Sequence, residues 1–239
     1  SAASDVYKRQ QDAFAEESEC PVCRMYQKLE ENAINYTIGP GASYMEGDIR
    51  EQSDEQGFCQ KHLEMLYEYP NKLGLAMMLK THMDKTAKEL KKAMKAPLPQ
   101  AAVLFRKKSQ TVHPVITFVE EKEKKCFVCD YINHSFTNYI NTIYYLYEKE
   151  EDFRKQFAAS KGFCVNHYKV LFSGAPEYMG KKYLNEFLMT LNETFINGYE
   201  RVRDDLEWFI CKNDYRYKEQ PWKNARDALQ RGLVKAGSI

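Results

Sequence analysis

Apolar side chains recur along this chain at steps of three and four residues, the period of an α-helix. Met25, Leu29 and Ile34 predict a helix from Pro21 to about Thr37, stopped by Gly39-Pro40-Gly41. Leu75, Leu79, Met83, Leu90 and Met94 lie on or near one face of residues 72–95, with lysines opposite. Ile132, Phe136, Ile140, Ile143 and Tyr147 do the same in a helix opening at Cys126. The longest run is Leu184, Leu188, Leu191, Phe195, Tyr199, Val202, Leu206 and Phe209, about seven turns of helix. Shorter helices are expected over 11–19, over 43–55, from Cys59 to about Tyr69, and from Cys164 to Gly174-Ala175-Pro176. Residues Thr111 to Val119 are β-branched but interrupted by Pro114, which predicts a short extended arm. The fold class is therefore all-α.

The helices fall into two matching sets. Gly57-Phe58-Cys59-Gln60-Lys61-His62 recurs as Gly162-Phe163-Cys164-Val165-Asn166-His167. A C-x-x-C pair precedes each copy, Cys20 and Cys23 before the first, Cys126 and Cys129 before the second. There are 35 residues between Cys23 and Cys59 and 34 between Cys129 and Cys164. Six of the seven cysteines belong to this one repeated pattern, so it is read as an internal duplication. The expected organisation is repeat 1 over 11–95, a linker over 96–120, repeat 2 over 121–211 and an aromatic-basic tail over 212–239. Asp5-Val6-Tyr7-Lys8-Arg9-Gln10 reads as a translated sequencing adapter, so residues 1–10 are expected to be an unstructured scar.

The spacing carries chemistry. Zn²⁺ takes four ligands in a tetrahedron, commonly cysteine sulfur and histidine nitrogen. A C-x-x-C pair at a helix start supplies two thiols, and C-x-x-H at another supplies a thiol and an imidazole. Helix N-termini also favour the thiolate form that binds metal. The expected ligands are Cys20, Cys23, Cys59, His62, Cys126, Cys129, Cys164 and His167, holding two zinc ions per chain. Pairing within each repeat is the simplest assignment, and pairing across the repeats stays open. Four protein ligands leave no position for water, so the sites read as structural. Iron–sulfur clusters usually take four cysteines, and haem attachment wants C-x-x-C-H. Disulfide exchange is the main competitor, but it leaves both histidines without a role. Cys211 reads as a small buried or semi-exposed thiol.

Composition narrows the rest. The 239 residues carry a formal net charge of +1, so no overall field favours nucleic acid or an anionic membrane. No apolar run reaches membrane-spanning length and no export signal is evident, which points to a reducing, cytoplasmic setting. Charge is uneven: residues 11–55 hold 11 acidic and 3 basic side chains, and residues 85–108 hold 8 basic and 1 acidic. Tyr215, Tyr217 and Trp222 alternate with Arg216, Lys218 and Lys223 in the tail, a pattern that either stacks on nucleic acid or clips the tail to the helical body. No phosphate-binding loop, dinucleotide motif, zinc-protease motif or nucleophile elbow occurs. His82, His113 and His134 have no acid or base partner by spacing, and no small-molecule substrate is identified.

Cys-Pro-Val-Cys, the two G-F-C-x-x-H stretches and the ending Asp214-Tyr215-Arg216-Tyr217-Lys218-Glu219-Gln220-Pro221-Trp222 resemble a bacterial family found mostly in Firmicutes, known only as domain of unknown function 6062. The resemblance covers nearly all of the chain after residue 10. It implies a bacterial, cytosolic protein and supplies no activity or catalytic residue. The functional expectation is a non-enzymatic, zinc-stabilised scaffold for a protein partner. The alternatives are a thiol-based redox or zinc-release sensor and, less favoured, a nucleic-acid-binding protein.

Overall fold

Helices carry most of the chain, and no strand occurs among the described residues, which are 2–41, 43–99 and 112–237 of the computed structural model. In order they are α1 (Ala2–Ala15), α2 (Pro21–Ile38), α3 (Gly47–Gln56), α4 (Gln60–Glu68), α5 (Lys72–Ala93), α6 (Pro114–Glu123), α7 (Phe127–Lys149), α8 (Glu151–Ala159), α9 (Val165–Tyr178), α10 (Lys181–Cys211) and α11 (Ala228–Ala236). Short 3-10 turns occupy Ser43–Met45 and Tyr215–Tyr217. The all-α expectation holds.

The chain divides into two compact units that are not the two sequence repeats. One, the split unit, joins Ser1–Leu29 to Ser135–Ile239. The other, the inserted unit, is the continuous stretch Glu30–His134. Both boundaries fall inside helices, α2 and α7.

The split unit is built on aromatic packing. Phe14 of α1 lies 5.0 Å from Phe153 and 5.6 Å from Phe157 of α8, ring centre to ring centre. Phe157 in turn meets Phe163 at 5.1 Å and Phe187 at 5.2 Å. Edge-to-face and offset arrangements at these distances add to the burial of large apolar rings. The tail folds back within this unit. Lys212 Nζ donates to the carbonyls of Tyr217, Lys218 and Gln220 at 2.8, 2.7 and 2.6 Å. Trp208 Nε1 donates to the Pro221 carbonyl at 3.1 Å. Trp222 lies 6.0 Å from Phe209. The inserted unit buries Ile34 and Ile38 of α2, Ile49 of α3, Leu66 of α4, Leu75 and Met78 of α5, and Val128 and Ile132 of α7.

Four local expectations are corrected. Residues 2–10, expected to be unstructured, are helical as part of α1. The extended arm is a helix from Pro114: His113 Nδ1 accepts from the Val115 N–H, and Pro114 takes the first helical position, where its missing N–H costs nothing. Thr111 lies outside the described residues, as do Arg106, Lys107 and Lys108 of the linker. Helix α9 passes through Pro176 to Tyr178, and the Met179 N–H still closes the last turn on the Ala175 carbonyl. In α10 the buried stripe is Phe187, Leu191, Thr194, Gly198 and Val202: Leu191 and Val202 are as expected, and the other three lie one residue before the expected Leu188, Phe195 and Tyr199. Its small members admit backbone: a Cβ on Gly198 would lie within van der Waals overlap of the Lys161 carbonyl.

Candidate metal centres

The eight expected ligands converge in two groups of four. Cys20, Cys23, Cys164 and His167 meet in the split unit, and Cys59, His62, Cys126 and Cys129 meet in the inserted unit. Within each group all four ligand atoms lie within 4.8 Å of one another. Pairing therefore runs across the repeats. The within-repeat assignment is overturned because each unit draws its C-x-x-C from one repeat and its G-F-C-x-x-H from the other.

Local backbone sets the ligands. Cys20 and Cys126 stand immediately before α2 and α7, while Cys59 and Cys164 cap the N-termini of α4 and α9. The Cys23 N–H donates to Cys20 Sγ at 3.4 Å, the Cys129 N–H to Cys126 Sγ at 3.5 Å and the His167 N–H to Cys164 Sγ at 3.4 Å. Such bonds favour thiolate sulfur. Gly57 and Gly162, two residues before the capping cysteines, have φ of +66° and +95°. In that region glycine alone is unstrained. The Gly57 carbonyl also accepts from the Phe127 N–H at 2.9 Å, which ties the two ligand segments of the inserted unit together.

The distances suit a tetrahedral ion. Bond lengths for zinc imply sulfur–sulfur edges of about 3.8 Å and sulfur–nitrogen edges of about 3.6 Å. In the inserted unit His62 Nδ1 stands 3.3 Å from Cys59 Sγ, 3.3 Å from Cys126 Sγ and 3.4 Å from Cys129 Sγ, with Cys59 and Cys129 sulfurs 3.9 Å apart. In the split unit His167 Nδ1 stands 3.6, 3.2 and 3.2 Å from Cys20, Cys23 and Cys164, with Cys23 and Cys164 sulfurs 3.6 Å apart. A disulfide would need about 2.05 Å, and all seven cysteines are free.

The electrostatics of the two sites differ in detail. Burial, then the charge of Cys126, pushes the Cys129 thiol up, and burial likewise raises Cys126. In the split unit, hydrogen bonds with Cys164 and Cys20 push Cys23 up. Cys164, accepting from Cys20, Cys23 and His167, is held well below the usual thiol range. Three crowded sulfurs resist carrying three charges by themselves, and a divalent cation at their centre reverses that balance. Burial lowers His62 against the opposing pull of Glu30, which favours the neutral imidazole that a ligand needs. At His167 burial pulls the same way, but hydrogen bonds with Cys164 and Cys20 outweigh it and raise the group to about 9, so a metal there must displace a proton.

The chain matches the family described as "Family of unknown function (DUF6062)" over residues 9–239. It belongs to that family. No curated protein and no solved structure matches it.

The surroundings of the two histidines differ, and sequence reasoning missed this. His62 Nε2 meets Glu30 Oε1 at 3.1 Å, and Glu30 is buried and also paired with Lys61 Nζ at 2.7 Å. His167 instead lies 5.7 Å from the Phe136 ring. The signal was in the repeat: Glu30 and Phe136 each follow the second cysteine of their C-x-x-C by seven residues. A second missed feature is Lys235. Its side chain is 2% exposed, and Nζ donates to the carbonyls of Glu19 and Lys161 at 2.7 and 2.6 Å and stands 3.4 Å from Glu19 Oε2. It ties α11 to the residue before Cys20 and to the loop before Cys164. Nothing local in the sequence marks it.

The remaining sequence candidates have structural roles. His113 caps α6, and His82 Nδ1 lies 2.9 Å from the Asp54 carbonyl. Tyr217 of the tail lies 5.8 Å from Trp208 of α10, and Lys223 Nζ lies 4.1 Å from the Trp208 ring centre, so the tail engages α10. No helix among the described residues is long and apolar enough to cross a membrane.

Proposed function

We propose that this is a non-enzymatic helical protein that binds two zinc ions per chain and serves as a scaffold for a protein partner. The observation that carries the metal reading is the convergence of eight chelating side chains into two four-ligand sets at tetrahedral spacing. Four protein ligands complete a zinc coordination sphere, which suits a structural ion and leaves no place for a substrate. The scaffold reading draws support from α5 and α6. Met83, Met94, Ile116 and Val119 are exposed, and α6 buries none of its residues fully. A bacterial cytoplasmic setting fits chelating thiols kept reduced.

Elemental analysis of protein produced without added zinc tests this: two equivalents of zinc are expected. Stripping them with a strong chelator should lower the melting temperature and the helical signal. Iron in place of zinc, or an unchanged melt after complete stripping, would refute the structural-zinc reading. A thiol-sensing role is the second reading, favoured by the partial exposure of Cys59 and Cys129. Nucleic-acid binding is disfavoured because Tyr217 and Trp222 of the tail pack against Trp208 and Phe209 of α10.

A further inference from the structure

The two centres hold their sulfurs equally close but not equally open. In the split unit the Cys23 and Cys164 sulfurs are 3.6 Å apart, and both residues are buried, as are Cys20 and His167. In the inserted unit the Cys59 and Cys129 sulfurs are 3.9 Å apart, and both residues are partly exposed, while Cys126 and His62 behind them are buried. A thiolate reacts with an oxidant when solvent reaches it, and it ends as a disulfide when a second thiolate stands close by. Metal ligation keeps sulfur in the thiolate form. One centre thus meets both conditions and the other meets only the second.

We propose that Cys59 and Cys129 form a redox modification site, at which hydrogen peroxide closes a Cys59–Cys129 disulfide and expels the ion of the inserted unit while the split-unit ion stays. This rests on the metal reading above. One thiolate attacks the peroxide oxygen, giving a sulfenic acid and hydroxide. The second thiolate attacks that sulfur, forms the S–S bond and displaces a second hydroxide. Two protons from solvent turn both hydroxides into water. The two sulfurs give up two electrons and the peroxide takes them, so a dication held by this site would lose two of its four ligands with no change in its own oxidation state. Only Cys126 and His62 would remain as ligands, half of what the ion needs.

The sulfurs must close from 3.9 Å to about 2.05 Å, a shift at the cap of α4 and the first turn of α7. Cys211 is also partly exposed but belongs to neither cluster, so its oxidation releases nothing. The test uses the full zinc-loaded chain with C211S as background and every ligand intact. Hydrogen peroxide is added in steps. Released zinc is read with a chromogenic indicator, and cysteines are mapped by differential alkylation and mass spectrometry. The expected result is loss of one of the two ions in step with a Cys59–Cys129 linked peptide, reversed by a thiol reductant with added zinc. Simultaneous loss of both ions, a Cys23–Cys164 link forming first, or no reaction would overturn the proposal. A chain that carries no metal before oxidation defeats the metal reading, and the order of disulfides then still decides whether Cys59–Cys129 is the preferred pair.

Discussion

Glu30 offers the sharpest single test of the inserted-unit centre, because the matching position in the other centre is Phe136. The His62 Nε2–H points at Glu30 Oε1, 3.1 Å away, which fixes the ring and leaves Nδ1 facing the three sulfurs. A carboxylate behind a ligand histidine raises ligand basicity, and removing such a partner typically costs 10–100-fold in metal affinity, about 1.4–2.7 kcal/mol. Repulsion between the Glu30 charge and a zinc–trithiolate centre works against this. Lys61 Nζ, 2.7 Å from the same carboxylate, offsets that repulsion, so orientation and basicity should decide the sign. Lys61 is half exposed and hydrates readily when Glu30 is removed. Glu30→Gln keeps an acceptor and should weaken the site by about 10-fold, and Glu30→Leu by about 100-fold. Occupancy is read site by site, as protection of Cys59, Cys126 and Cys129 from alkylation across a series of buffered zinc levels. Cys20, Cys23 and Cys164 in the same sample are the control. Equal weakening of both groups, or none at Cys59, Cys126 and Cys129, would refute the assignment of Glu30.

Three further outcomes are expected. Gly162→Ala should destabilise the fold more than Gly57→Ala in denaturant titrations: both carry about 1–3 kcal/mol of backbone strain, but the new Cβ at 162 lies 2.6 Å from the fixed Thr194 carbonyl, whereas at 57 it lies 2.6 Å from the movable His82 ring. Lys235→Met should cost about 2–4 kcal/mol by the same measurement, since it strips donors from the carbonyls of Glu19 and Lys161 and a charge from beside a buried carboxylate. Lys212→Met should release residues 217–220, read as faster amide hydrogen exchange there with α10 unchanged.

Fold class and the eight Cys and His side chains that cluster were legible in the sequence because each rests on short-range pattern. Helical periodicity needs only near neighbours, and both C-x-x-C and G-F-C-x-x-H are local. What was not legible is long-range. Three of the five buried positions of α10 were missed by one residue, and two of those, Thr194 and Gly198, are not hydrophobic. They are small for the sake of the chain at Lys161 and Gly162, far away in sequence. Lys235 was invisible for the same reason: a buried lysine at the end of the chain declares itself only through carbonyls at 19 and 161. Glu30 could have been found by overlaying the repeats and asking where they differ.

The pairing of ligands was open because both pairings satisfy the metal equally. Chain entropy decides weakly, and it points the wrong way. Within a repeat, Cys23 to Cys59 spans 36 positions, whereas the observed closures run from Cys59 to Cys129, 70 positions, and from Cys23 to Cys164, 141 positions. The shorter loop is nested in the longer, so closing one halves the other. With nesting, loop closure disfavours the observed arrangement by only about 1 kcal/mol in total. Packing overturns so small a term. The buried pair on α8 is Phe153 and Phe157, and Phe14 from the start of the chain is buried against both. The residues buried on α3 are Ile49 and Ser53, with no aromatic face to offer. Burying one phenylalanine is worth about 1.5–3 kcal/mol, enough to draw the first C-x-x-C to the second G-F-C-x-x-H and leave the remaining two to each other. The duplicated halves have thus specialised in their cores, and the two Cys3His clusters follow the cores.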